Sequence, residues 1–154
     1  MQRRTFLKGS LASSTVAVAM GAGLLSPRAV LAAWPKSAFT AKSVQDALTA
    51  IHGTAATTPS NDIKIKAPDI AENGAVVPVT VSTGISGITD IAIIVEKNSS
   101  PLAANFKLSS SSKGFVATRI KMGKTSNVIA VVKAGGKSYS ARKDVKVTIG
   151  GCGG

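Results

Sequence analysis

Cys152 is the single cysteine in 154 residues, and it sits in the run Gly150-Gly151-Cys152-Gly153-Gly154. A thiol becomes a nucleophile as its thiolate and forms reversible S–S bonds. A cysteine meant for a core would be flanked by side chains that pack. Glycine offers none, accepts positive φ and loses the most entropy on ordering, so residues 150–154 are expected to form a mobile arm. An extended chain spans at most about 3.6 Å per residue, which carries the sulfur on the order of 10 Å beyond the last strand. No side chain beside Cys152 can act as a base or orienter. The spacing therefore points to a thiol delivered into other proteins, with catalysis located in them, and not to an enzyme's own nucleophile.

An odd cysteine in an oxidising compartment has no partner within its chain. The amino end indicates such a compartment. Arg3 and Arg4, followed by Thr5-Phe6-Leu7-Lys8, precede an uncharged stretch from Gly9 to Leu25 that contains Gly, Ser and Thr, and then Ser26-Pro27-Arg28-Ala29-Val30-Leu31-Ala32. This pattern is that of a twin-arginine export signal, too weakly apolar for a stop-transfer helix. Cleavage is expected near Ala32-Ala33, releasing a periplasmic protein with no membrane anchor. Residues 1–32 are assigned to the signal, 33–149 to a folded domain and 150–154 to the arm.

Twin-arginine export carries folded proteins, commonly with a cofactor or a bound partner. The lone His52 and the scattered carboxylates Asp46, Asp62, Asp69, Glu72, Asp90, Glu96 and Asp144 lack metal-ligand spacing. No glycine-rich phosphate loop joins a strand to a helix. No metal or other cofactor is expected, which leaves co-export with a partner subunit as the reading.

Without residues 1–32, which hold Arg3, Arg4, Lys8 and Arg28, 15 basic and 7 acidic residues remain in 122 positions, a net charge of +8. A basic surface suits nucleic acid, lipid headgroups or small anions, and export argues against nucleic acid. Lysines that alternate with apolar residues, as in Ile63-Lys64-Ile65-Lys66, read as a solvated sheet face. Lys143 and Lys146, just before the glycines, are positioned to favour a thiolate or an anionic adduct.

Among the elements that must position the thiol, the first is helical. Ser43 is a helix cap, Val44, Ala47, Leu48 and Ile51 form one apolar stripe, and Gly53 stops the helix. That stripe must dock on the protein's own sheet or on a partner. From Asp62 the period changes to two. Ile63/Ile65, Val77/Val79/Val81, Ile91/Ile93/Val95, Phe106/Leu108, Val116/Ile120 running to Met122, Val128 to Val132, Tyr139/Ala141 and Val145/Val147/Ile149 give about eight strands. With few aromatics, Val and Ile must fill the core. Short strands without intervening helices predict a mainly β fold, an immunoglobulin-like antiparallel β-sandwich preceded by a helix, with a barrel as the alternative. Pro78 must lie at an edge or bulge.

The glycine-flanked Cys152, Lys143-Asp144-Val145-Lys146-Val147-Thr148, Thr118-Arg119-Ile120-Lys121-Met122, the stretch from Ile70 to Val79 and Pro101-Leu102-Ala103-Ala104 together resemble the SoxY family, sulfur-carrier subunits of the periplasmic thiosulfate-oxidising Sox system. The resemblance implies that Cys152 is the covalent attachment point for thiosulfate-derived sulfur and that the subunit pairs with a SoxZ-like chain lacking its own signal. It further implies a SoxXA-like c-type cytochrome that loads the thiol, a SoxB-like hydrolase that releases sulfate, and, where present, a SoxCD-like dehydrogenase that oxidises the persulfide. Two other readings compete. One is a ubiquitin-like carrier activated at Gly154, which export disfavours; the other is a periplasmic binding or structural sandwich whose Cys152 forms an intermolecular disulfide.

Overall fold

The computed structural model describes residues 35–109 and 111–148. Among these residues two helices come first, α1 (Lys36–Thr40) and α2 (Val44–His52), then nine strands: β1 (Thr58–Pro59), β2 (Ile63–Lys66), β3 (Ile70–Ala71), β4 (Val77–Thr83), β5 (Ile88–Val95), β6 (Leu102–Lys107), β7 (Phe115–Ile120), β8 (Ser126–Ala134) and β9 (Lys137–Val147). Helix α2 has the expected limits. The Ser43 hydroxyl accepts the Asp46 N–H at 3.0 Å, and Gly53 closes the helix at φ 78° with its N–H donating to the Thr49 carbonyl, a conformation that costs glycine nothing. Helix α1, a single turn after Pro35, has no periodicity for a sequence to reveal.

The strands form the expected mainly β sandwich. One sheet runs β1-β9-β8-β5-β6, and a three-stranded sheet runs β2-β4-β7. The facing sides bury Ile63, Val77, Val79, Val81, Val116 and Ile120 against Ile91, Ile93, Val95, Val128, Ala130, Val132 and Val145. The largest fully buried side chains are Ile, Val and one Met, Met122. The aliphatic core predicted from the scarcity of aromatics is present.

A third layer explains the densest apolar runs. The helices cover the outer face of the larger sheet, burying Ala38, Ala47 and Leu48 against Ala92, Ile94, Leu102, Ile129 and Val131. The helix stripe therefore docks on the protein's own sheet. Strands β5 and β8 are apolar on both faces because both are covered, with Ala92 opposite Val131 and Ile94 opposite Ile129 on the helix side. A bulge between Ile88 and Asp90 shifts the alternation, so that Ile88 and Ile91 both reach the inter-sheet core while Asp90 turns to the helix side.

Two features depart from the expected strands, and Pro78 lies as expected. The polar stretch Arg142-Lys143-Asp144 separates Tyr139/Ala141 from Val145/Val147/Ile149 in sequence, yet β9 runs through it unbroken to Val147, with Asp144 exposed and Arg142 facing outward beside Glu96; Ile149 lies outside the described residues. Two short parallel bridges, β1 at Tyr139 and Ser140 and β3 at Lys146 and Val147, cover two parts of the outer edge of β9, which shortens the open edge. Pro78 lies in the middle strand of the small sheet, but β2 pairs only with residues 80–83 of β4, so the strand is locally an edge at Pro78, as proline requires.

Candidate functional site at the end of the last strand

Strand β9 is the element that leads to the glycines, and its last residues are held on both sides. The N–H groups of Lys146 and Thr148 donate to the carbonyls of Asp69 and Ala71, at 2.9 and 3.2 Å. Between them, the Val147 N–H points the other way and donates to Thr125 Oγ1 at 2.9 Å. Alternate N–H groups of a strand point to opposite sides, and here each side finds an acceptor up to Thr148. Gly74 supports this clamp, because a Cβ there would stand 2.4 Å from the Met122 carbonyl oxygen and 2.8 Å from Val147 Cγ1. The Met122 N–H donates to the Gly74 carbonyl at 2.7 Å. The strand ends on a rigid root.

The cationic surroundings of the root differ from the sequence expectation in one respect. Lys143 Nζ donates to Asp69 Oδ1 at 2.7 Å, and that hydrogen bond, with the charge of the ammonium, holds the Asp69 carboxyl below its ordinary pKa. Lys143 is thus committed to Asp69. Lys146 is exposed on the same strand. Cys152, Gly150, Gly151, Gly153 and Gly154 lie outside the described residues, as do Arg3 and Arg4.

The turns at this end also form a basic cleft with no counterpart in the sequence reading. Lys97, Ser99 and Ser100 from the β5–β6 turn and Lys121, Gly123 and Lys124 from the β7–β8 turn line a cavity of about 520 Å³. Asn98 ties the two turns together, donating from Nδ2 to the Lys121 carbonyl at 2.7 Å and accepting the Gly123 N–H at Oδ1 at 3.0 Å. Lys97 is more than 20 positions from Lys121 and Lys124, so no local pattern could have grouped the three. Ile70, 56% exposed, lies on β3 at the other edge of the root.

Among the described residues, the groups most like a catalytic set lie elsewhere and are sealed. His52 Nε2 is 3.1 Å from Asp90 Oδ1, and His52 Nδ1 is 3.1 Å from Ser138 Oγ. A neutral imidazole satisfies both, donating from Nε2 to Asp90 and accepting from the Ser138 hydroxyl at Nδ1. The connectivity is that of a serine–histidine–aspartate triad. However, the His52 and Asp90 side chains are 0% and 1% exposed, so a substrate has no approach to them. Lys107 forms an ion pair with Asp90 Oδ2, and Lys133 Nζ donates to the His52 carbonyl at 3.1 Å, where the helix dipole favours a cation. Burial pushes the Asp90 carboxyl up, but the His52 hydrogen bond and the Lys107 ammonium outweigh it and leave the group below its ordinary pKa. The set locks the end of α2 onto β5 and β9. Among the described residues no cluster of three or more His, Cys, Asp or Glu side chains is arranged to hold a metal ion, and no helix is long and apolar enough to cross a membrane.

The family model for the sulfur oxidation protein SoxY matches residues 48–152. The chain belongs to the SoxY family. A solved structure of the sulfur carrier protein SoxY from Chlorobium limicola f thiosulfatophilum is 48% identical, with a TM-score of 0.64, and the match covers 70% of this chain and 97% of that one. A chain from a structure on T cell specificity and activation by the bacterial superantigen toxic shock syndrome toxin-1 matches at 11% identity and a TM-score of 0.41, over 56% of this chain and 99% of that one; so distant a likeness carries no argument. No curated protein matches. The SoxY match begins at Leu48, whose side chain lies under the larger sheet, takes in all nine strands and runs to Cys152. The SoxY-like chain thus includes both the clamped root of β9 and the thiol that follows it in sequence.

Proposed function

We propose that the protein is a covalent carrier of sulfur intermediates in thiosulfate oxidation, with Cys152 as the attachment point. The observation that carries this reading is the family match, which extends to Cys152, the single thiol of the chain. The similar solved structure is described as a sulfur carrier protein. In this reading the protein works in the periplasm after twin-arginine export directed by Arg3 and Arg4, as a heterodimer with a SoxZ-like subunit.

The chemistry follows from a thiolate. Joining Cys–S⁻ to the sulfane sulfur of thiosulfate gives Cys–S–S–SO₃⁻ and releases two electrons, which a SoxXA-like c-type cytochrome accepts. Water then cleaves the S–SO₃ bond in a SoxB-like hydrolase, giving sulfate, a persulfide on Cys152 and protons. A SoxCD-like dehydrogenase, where one exists, oxidises the persulfide further. One sulfur atom can hold these states in turn because each is joined to it through an S–S bond. Tethering replaces repeated diffusion of a small anion with presentation at an effective concentration set by the arm. The hydrogen-bonded end of β9 gives the arm a fixed origin, and glycine on each side of Cys152 leaves only backbone to pass a narrow channel.

The test is Cys152→Ser in a system reconstituted with the partner enzymes. The variant is expected to fold, to bind its partner subunit and to take up no thiosulfate, with sulfate release reduced to the level without carrier. Normal turnover by the variant would refute the carrier reading.

A further inference from the structure

The lysine cleft beside the root is the feature that the carrier reading leaves unexplained. Its nine lining residues include Lys97, Lys121 and Lys124 and no carboxylate. Glu96, next to Lys97 in sequence, is turned away, accepting from Asn127 Nδ2 at 2.9 Å and facing Arg142. Among the described residues none of the three ammonium groups has a carboxylate within ion-pair distance, unlike Lys107 and Lys143. Three like charges around one concavity repel one another, an arrangement that an anion would relieve. The Ser99 and Ser100 hydroxyls add donors, and the Asn98 bridge fixes the spacing of the two turns.

The geometry points to this cleft as a binding site for a compact sulfur oxyanion, the sulfonate or sulfate group shared by free thiosulfate, free sulfate and the outer end of a thiosulfonate on Cys152. The site is concave and recruits its cations from two turns, which suits a small multidentate anion better than the broad face of an acidic protein. Its position supports the tethered source. Lys124 is adjacent to Thr125, whose hydroxyl binds the Val147 N–H. Cys152 follows Thr148 by four positions, and a chain of that length reaches about 14 Å. Effective concentrations of tethered groups are on the order of millimolar, so a site too weak to retain the free ion is still visited by a carried one. Weak retention suits a carrier, which must release its adduct to each enzyme. The tethered source rests on the proposed carrier function; binding of free oxyanions does not.

Amide chemical shifts of the mature chain test both sources. In one arm, sulfate or thiosulfate is titrated against the thiol-blocked protein at constant ionic strength. In the other, Cys152 is converted to a mixed disulfide with 2-sulfonatoethyl methanethiosulfonate or, as the uncharged control, methyl methanethiosulfonate; the thiolate displaces methanesulfinate in each. The expected result is shifts confined to residues 97–100 and 121–125, saturable with the free oxyanions, produced by those ions, by the sulfonate adduct or by both, and absent with the methyl adduct. The shifts should vanish in Lys97→Gln/Lys121→Gln/Lys124→Gln and persist in the charge-matched Lys66→Gln/Lys113→Gln/Lys137→Gln. All six lysines are exposed, so neither variant threatens the core. Shifts with the sulfonate adduct alone support the carried group as the occupant; shifts with free ions alone support a solution anion. Absence of shifts in both arms, equal shifts from the methyl adduct, or equal loss in the two triple variants would overturn the proposal. If loss of the three cleft lysines weakened binding of an acidic partner protein without any oxyanion response, the cleft would be a docking face and the proposal would fail. The two functions fail separately, because the Cys152→Ser turnover test reports on the carrier role whether or not the cleft binds an oxyanion.

Discussion

Where β5 begins, Lys107 and Lys133 are drawn onto a buried carboxylate and a helix carbonyl; where β9 stops, Lys97, Lys121 and Lys124 surround an open cleft. The two ends of one sandwich thus use the same residue type in opposite ways. At the first end, Lys107 and His52 compensate Asp90, a charge that would otherwise be costly to bury, Lys133 holds the His52 carbonyl, and the result is a fixed junction between helix and sheet. At the second, the cations remain without carboxylate partners while the backbone around them is held by Asn98, Thr125 and Gly74. The set that most resembles a catalytic triad belongs to the architectural end. The other end has a hydrogen-bonded backbone and cations without carboxylate partners, the setting that the proposed carrier function asks of the strand leading to Cys152.

The largest effect is expected at the sealed end. Asp90→Ala should cost about 2–3 kcal/mol, below the usual penalty for breaking a buried ion pair because Lys107 is 70% exposed. Denaturant unfolding would show the loss, and the rate at which Cys152 reacts with a small thiol reagent should not change. The same group sets a pH dependence. Its folded pKa lies below the unfolded value of about 3.9, so its contribution is present above that value and is lost as pH falls through the folded pKa. The stability gap between the protein and Asp90→Asn should therefore narrow below about pH 4. A constant gap would mean that the charge of Asp90 is not what stabilises the junction.

At the other end, Gly74→Ala should cost about 2 kcal/mol, because the new Cβ meets a backbone carbonyl at 2.4 Å that cannot easily retreat. Amide exchange in residues 145–148 should accelerate by more than that in β5. Thr125→Val should have the smallest effect, about 1 kcal/mol or less for one hydrogen bond, yet it should specifically expose the Val147 amide. If either substitution loosened the helix–sheet junction as much as the root, the two ends would not be separable units.

Much of this is legible in the sequence, and the rest is hidden for a physical reason. Ser43 and Gly53 announce α2 through capping chemistry that depends on neighbouring residues alone, and period-two patterns place the strands of the small sheet. The third layer is not legible in the same way, because Ala92 and Ile94 interrupt the alternation only when a helix covers their side of the sheet. His52, Asp90 and Ser138 meet through tertiary packing across 38 and 86 positions, as do the cleft lysines of two separate turns. Position in the chain puts Lys143 beside the root, but its partner Asp69 arrives from the β2–β3 segment. Contacts local in sequence are readable; contacts created by the crossing of layers are not.

In the proposed function Cys152 carries the sulfur. Its most direct measurement is the intact mass of the protein isolated from its own cells after growth on thiosulfate, before and after reduction. Reductant-labile increments matching sulfane sulfur or thiosulfonate, located on the C-terminal peptide that contains Cys152, are the expected result. A bare thiol or a simple disulfide dimer under every growth condition would contradict the account and favour a binding or structural sandwich.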